Sequence, residues 1–198
     1  MDETLHVALE AGRIFTRLEV KWLLGGSLAS SAHGIPRATF DADLLADLRT
    51  NQIKPFLRDL GDRWYADEEA IRDAITHRSS FNLIHFETAL KVDVFIPKLR
   101  QFERMEFARA QPVVVSEETG ETAPVCCPED IVVAKLEWFR SGGQISERQW
   151  ADVLGVMRLN RERLDAEVMR TSATELGVLD LLEEAFRDGD PPIKPSNG

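Results

Sequence analysis

Apolar positions along the chain switch between a helical and a strand-like spacing, and the switches divide it into elements. Leu5, Leu9, Ile14 and Leu18 recur at roughly helical intervals, predicting a first helix capped by Asp2 or Thr4 and ending near Leu18. Glu19–Leu24 reads as a buried strand that stops at Gly25-Gly26, and a short helix of small residues follows from Ser27 to about His33. Phe40–Leu48 is a second strand. Asn51–Leu60 places Ile53, Phe56, Leu57 and Leu60 on one helical face, and Asp67 caps a further helix to His77. Ser80–Phe86 and Leu90–Ile96 form a hairpin around Glu87-Thr88. A helix over Leu99–Ala108 precedes two strands, Pro112–Val115 and Ala123–Cys126, on either side of a solvated turn at Glu117–Glu121.

Beyond Cys127 the pattern is helical. Pro128 suits a first helical position, Glu129 and Asp130 suit the first turn, and the run stops at Gly142-Gly143. Ser146-Glu-Arg-Gln149 is a capping box for a helix to about Leu159, and one or two more helices span Arg161–Arg187. The expectation is a mixed α/β core over 1–126, a helical part packed on it over 127–188, and a frayed tail over 189–198.

Composition narrows the function classes. Apolar residues make up 43% of the 198, enough for a packed core. A membrane-spanning helix needs about 18 or more consecutive apolar residues, and the chain has no such run. The acidic Met1-Asp-Glu-Thr start lacks the layout of a secretory signal, so a soluble cytoplasmic protein is expected. A net charge of −10 argues against broad, sequence-independent nucleic-acid binding, while leaving room for a local basic patch. The two cysteines, Cys126 and Cys127, are adjacent, which matches neither a staple between distant segments nor zinc-ligand spacing.

The candidate chemistry lies in the first half. Asp41 and Asp43 are two apart on a strand, so both carboxylates leave one face with Cα atoms roughly 7 Å apart. Hard divalent cations such as Mg²⁺ take carboxylate oxygens together with substrate phosphates, and a pair of ions can serve an in-line displacement. Alone, the pair reads more readily as two solvated acids on a solvent-facing strand. Gly25 and Gly26 let the backbone turn tightly, and Ser27 opens a helix whose N–H groups favour phosphate. Asp93 interrupts the apolar strand Lys91-Val-Asp-Val-Phe-Ile96, where a carboxylate must be paired, hydrogen-bonded or metal-bound; it suits a general base or a further metal ligand. Arg37 and Thr39 are placed to contact phosphate, or, for Arg37, to form a structural ion pair. His33, His77 and His85 have no partners at metal-ligand spacing. Trp64 and Tyr65 read as core or edge residues.

Gly25-Gly26-Ser27, Asp41-x-Asp43 and Asp93 together resemble the DNA polymerase beta-type nucleotidyltransferase superfamily. There a Gly-Gly-Ser turn precedes an Asp-x-Asp strand and a third carboxylate stands on a later strand. Arg37-x-Thr39-x-Asp41-x-Asp43, Asn82-Leu-Ile-His85, Lys91-Val-Asp93 and Pro128-Glu-Asp-Ile131 through Lys135-Leu136 further resemble small bacterial nucleotidyltransferase-like proteins, some related to AbiEii-type toxins of toxin–antitoxin systems. The resemblance covers roughly 20–155. It implies a mixed sheet flanked by helices, one or two Mg²⁺ ions on Asp41, Asp43 and Asp93, and a nucleoside triphosphate as co-substrate. It also implies that Lys135 and Asp152 complete the site from the helical half, Lys135 facing triphosphate charge; read by itself, Lys135 serves equally as a snorkelling surface lysine. The expected activity is transfer of a nucleoside monophosphate to an acceptor hydroxyl on transfer RNA, a protein or a small molecule. The rival readings are a catalytically silent nucleotide- or partner-binding member of the fold, and a toxin held by an antitoxin partner.

Overall fold

The structure is a computed structural model in which residues 3–33, 41–116 and 120–189 are described. Its described residues divide into two compact units, the first drawn from Met1–Leu28 and Arg37–Val125, the second from Ala29–Pro36 and Cys126–Gly198.

The first unit is built on a seven-stranded sheet in the order β3-β4-β5-β2-β1-β7-β6. Its strands are β1 (Trp22–Leu24), β2 (Asp41–Ala46), β3 (Trp64–Tyr65), β4 (Ser80–His85), β5 (Lys91–Phe95), β6 (Gln111–Ser116) and β7 (Glu121–Val125). The β2–β5 and β1–β7 pairs are parallel and the others antiparallel. The helices of this unit are α1 (Glu3–Arg17), α3 (Ile53–Leu60), α4 (Glu68–His77) and α5 (Gln101–Arg109).

Strand periodicity decides which sheet face is covered. Ala42, Leu44 and Ala46 of β2, Val92 and Val94 of β5, and Phe81 and Leu83 of β4 are buried, while their alternating neighbours are half-buried or exposed. Helix α1 packs on β2 and on α3, and α4 packs on α3 and β4. Phe15 of α1 stacks on Phe56 of α3 with ring centroids 4.8 Å apart, and Phe56 meets Phe81 of β4 edge-on at 6.3 Å. Burying each such ring contributes about 1.5–3 kcal/mol, so this aromatic column fixes the covered face. The opposite face keeps its polar residues.

Two strands differ from the sequence expectation. Strand β1 begins at Trp22, not Glu19, because the chain closes α1 with a turn: Leu18 N–H donates to the Ile14 carbonyl, Val20 N–H to the Phe15 carbonyl, and Glu19 sits at φ 56. Strand β3 has no counterpart in the sequence reading. Its two residues pair with His85 and Ile84, and Trp64 is held by donating from Nε1 to Glu10 at 2.9 Å. Trp64 is thus a core residue and Tyr65 an exposed edge residue.

Helix α2 (Gly26–Ala32) starts one residue before the expected position. The second unit holds α6 (Pro128–Ser141), α7 (Glu147–Asn160), α8 (Ala166–Glu175) and α9 (Leu179–Asp188). Pro128 occupies the start of α6, and the Ser146 hydroxyl accepts the Gln149 N–H at the start of α7. The expected Asp67 cap is present as well, its carboxylate accepting the Ala70 N–H at 2.8 Å, whereas Thr4 lies inside α1 and Asp2 outside the described residues. Neither Cys126 nor Cys127 is in a disulfide; Cys127 donates to Asp130 Oδ2 at 3.0 Å, and burial pushes its thiol pKa far up. Among the described residues no helix is long and apolar enough to cross a membrane.

Candidate active site

The open sheet face gathers the carboxylates. In the parallel β2–β5 pair, Asp43 stands opposite Asp93 and Asp41 opposite Lys91. On the other side of β5, Asn82 of β4 is the antiparallel partner of Asp93. Cross-strand partners project to the same face, and adjacent strands lie about 4.8 Å apart. Asn82, Asp93 and Asp43 therefore form one polar row, with Lys91 and Asp41 in the adjoining row. Asp41 is largely open to solvent at 64% side-chain exposure, whereas Asp93 is confined at 17%.

The Gly-Gly-Ser turn abuts this row. Gly25 N–H donates to the Asp43 carbonyl at 3.0 Å, continuing the β1–β2 ladder by one bond. Gly26 follows at φ +55, in the left-handed region that favours glycine. A Cβ at Gly26 would collide with the Asp43 carboxylate, standing 2.6 Å from its Cγ. Position 26 is glycine because the Asp43 side chain lies against its backbone. Gly25 is different: a Cβ there would meet nothing nearer than the Asp43 carbonyl at 3.8 Å.

Three like charges on one face repel, and a lysine answers them. Lys91 Nζ lies 2.7 Å from Asp93 Oδ2 and 3.9 Å from Asp41 Oδ1. Its pKa is raised, first by the hydrogen bond to Asp93, opposed by desolvation, and then by the charges of Asp93, Asp41 and Asp43. Among the described residues no three His, Cys, Asp or Glu side chains converge tightly enough to enclose an ion. The donor chemistry nevertheless suits a hard divalent cation: the ligands are carboxylate oxygens, and a positively charged group already reaches two of the three acids. Sequence reasoning quoted Lys91 and Asn82 but gave neither a role. The signal was present, since Lys91 precedes Asp93 by two residues on a strand and must share its face.

Lys135 and Asp152 belong to the second unit, on α6 and α7. Lys135 Nζ donates to Asp152 Oδ2 at 3.2 Å, with the two side chains 13% and 17% exposed. Both are thus confined as a pair, and Lys135 does not snorkel into open solvent. Arg37 and Thr39, expected to touch phosphate, lie outside the described residues. Of the histidines, His85 is buried against Trp64 with Nδ1 3.0 Å from Thr88 Oγ1, His77 faces Asp73, and His33 Nε2–H donates to the Cys126 carbonyl at 2.7 Å. None of the three belongs to a metal-binding group among the described residues.

No protein-family model matches the chain, and no curated protein matches it in sequence. Solved structures do. The antibiotic-resistance factor ANT(2'')-Ia aligns over 95% of this chain and 99% of its own, with a TM-score of 0.56 at 14% identity. An antigenic nucleotidyltransferase-like protein from Paracoccidioides brasiliensis aligns over 96% and 94%, with a TM-score of 0.51 at 14% identity. The lincosamide antibiotic adenylyltransferase LnuA, solved with lincomycin bound, aligns over 80% and 98%, with a TM-score of 0.50 at 15% identity. What these structures share with the chain is its architecture: a mixed sheet flanked by helices, in the nucleotidyltransferase fold.

Proposed function

We propose that the chain is a metal-dependent nucleotidyltransferase, moving a nucleoside monophosphate from a nucleoside triphosphate to an acceptor hydroxyl with release of pyrophosphate. The observation that carries this reading is the parallel register that sets Asp43 beside Asp93, with Asp41 two residues away on the same face. A surface strand has no need to hold three acids together, since like charges side by side destabilise a sheet.

In the proposed reaction the Gly25-Gly26-Ser27 turn receives the β- and γ-phosphates, with Arg37 and Thr39 as further phosphate contacts. Asp41, Asp43 and Asp93 would hold Mg²⁺, which supplies neutralisation of triphosphate charge and polarisation of the reacting phosphoryl group. Asp93, far less exposed than Asp41, takes the proton of the acceptor hydroxyl. The hydroxyl oxygen forms the new bond to the α-phosphorus as the bond from that phosphorus to the bridging oxygen breaks, and the electron pair leaves with pyrophosphate. Positioning and charge neutralisation supply most of the acceleration in such displacements. Lys135, oriented by Asp152, is proposed to contribute positive charge toward the triphosphate.

Two fold neighbours are named for antibiotics, so small molecules with free hydroxyls form the first acceptor panel. Incubation of the protein with α-labelled triphosphates, Mg²⁺ and that panel should move label onto an acceptor, and Asp41→Asn and Asp43→Asn should each abolish it with the fold intact. Triphosphate binding by calorimetry without label transfer to small molecules, RNA or protein would instead establish a silent binding protein. The confined Lys135–Asp152 pair favours one second reading, a toxin of the AbiEii-like branch acting on transfer RNA or protein. Growth arrest on expression, relieved by a neighbouring gene, is its signature.

A further inference from the structure

The face that carries the proposed chemistry contains a positive charge that the reaction does not use. Lys91 shares the open face of β5 with Asp93 and stands opposite Asp41, and its Nζ contacts both, at 2.7 and 3.9 Å. The charge of Asp43 acts on it as well. Its side chain is 41% exposed, so the ammonium is tethered by a flexible stem rather than locked in a core. An ammonium in that position meets the same oxygens that a divalent cation would need.

We infer that Lys91 is a built-in counter-cation of the carboxylate cluster, holding the three acids together when no divalent ion is bound and competing with that ion for Asp93 and Asp41. The inference rests on the reading of this face as the metal and nucleotide site. It makes Lys91 a positioning residue: it sets where the carboxylates stand and how strongly they take an ion. Because an incoming ion must displace the ammonium, a metal alone binds more weakly than three carboxylates would otherwise allow. A lysine lost merely from a structural ion pair would leave metal affinity unchanged or lower it.

The test is a titration of Mn²⁺ into the metal-free full chain, following free Mn²⁺ by electron paramagnetic resonance. The proteins are wild type, Lys91→Gln, Lys91→Met, Lys91→Arg and Asp43→Asn. Removing a unit charge a few ångströms from the ion should tighten Mn²⁺ binding by about tenfold in Lys91→Gln and Lys91→Met. Lys91→Arg, which keeps the charge, should stay within about threefold of wild type. Asp43→Asn should lose binding. Without metal, Lys91→Gln should melt below wild type, and saturating Mn²⁺ should raise its Tm by more than it raises that of wild type. Equal or weaker Mn²⁺ binding in both uncharged variants, with binding still lost in Asp43→Asn, overturns the role of Lys91 and leaves the metal site standing. No Mn²⁺ binding in wild type or the Lys91 variants overturns both.

Discussion

Gly26 shows how a single residue joins backbone geometry to the proposed site. Its φ of +55 and the Asp43 carboxylate against its Cα both require the absence of a side chain. Gly26→Ala must adopt a left-handed backbone, costing about 1–2 kcal/mol, and must also push Asp43 from its position. Gly25→Ala has room and should stay within about 0.5 kcal/mol of wild type. Urea unfolding of both variants checks the difference; equal losses would mean that the contact with Asp43 does not set the requirement at position 26. In the sequence the two glycines look interchangeable, as a turn between a strand and a helix. The left-handed φ of Gly26 and the approach of Asp43, 17 residues later, separate them. Asp41 and Asp43 themselves were legible because strand periodicity alone puts them on one face. Their partnership with Asp93 depends on sheet order, β2 beside β5, which local pattern does not contain.

Among the elements, the long periodic ones follow from sequence, while the two shortest strands, β1 and β3, depart from it. Helices α1, α4, α6 and α7 carry both an apolar stripe and a start signal, and their observed bounds lie within a residue or two of the expected ones. Strand β3 has two residues and no alternation to detect, and it exists because Glu10 and the edge of β4 hold it. The truncation of β1 reflects competition for Leu18–Val20, whose amides close the turn after α1 instead of joining the sheet.

The end of α2 carries a pH-dependent link. His33 donates from Nε2 to the Cys126 carbonyl, and the His33 carbonyl accepts from Asn160 Nδ2 on α7 at 3.1 Å. Desolvation by burial lowers the His33 pKa from its usual 6.5, partly opposed by the bond to Cys126, with Arg163 lowering it further and Glu129 raising it. A histidine whose folded pKa is depressed takes up its proton more readily in the unfolded chain. Its contribution to stability is therefore intact above 6.5 and declines as pH falls from there toward the lowered folded value. Unfolding free energies measured on either side of pH 6.5 should drop more steeply on acidification in wild type than in His33→Gln. Parallel slopes would place the titration elsewhere.

Over the whole molecule, the acidic charge and the open acidic sheet face have a common consequence. A chain of net charge −10 repels a triphosphate unless local cations intervene, so under the proposed function divalent ions on the carboxylate face are what would admit one. The fold is shared along nearly the full length of ANT(2'')-Ia at 14% identity, so the architecture persists where most side chains differ. Function on such a scaffold is set by its surface and site chemistry, so the acceptor of the proposed reaction does not follow from the fold.

In the proposed reaction Asp43 and Asp93, neighbours in register, act as one catalytic unit. The most direct test is pyrophosphate release by wild type, Asp43→Asn, Asp93→Asn and the double variant, with Asp59→Asn as an acidic control away from the face and circular dichroism to confirm folding. Each single substitution should slow release by about 10²–10⁴-fold, and the double variant should lose little more than either alone, because residues acting together are not additive. Release within about twofold of wild type in both single variants would contradict the account.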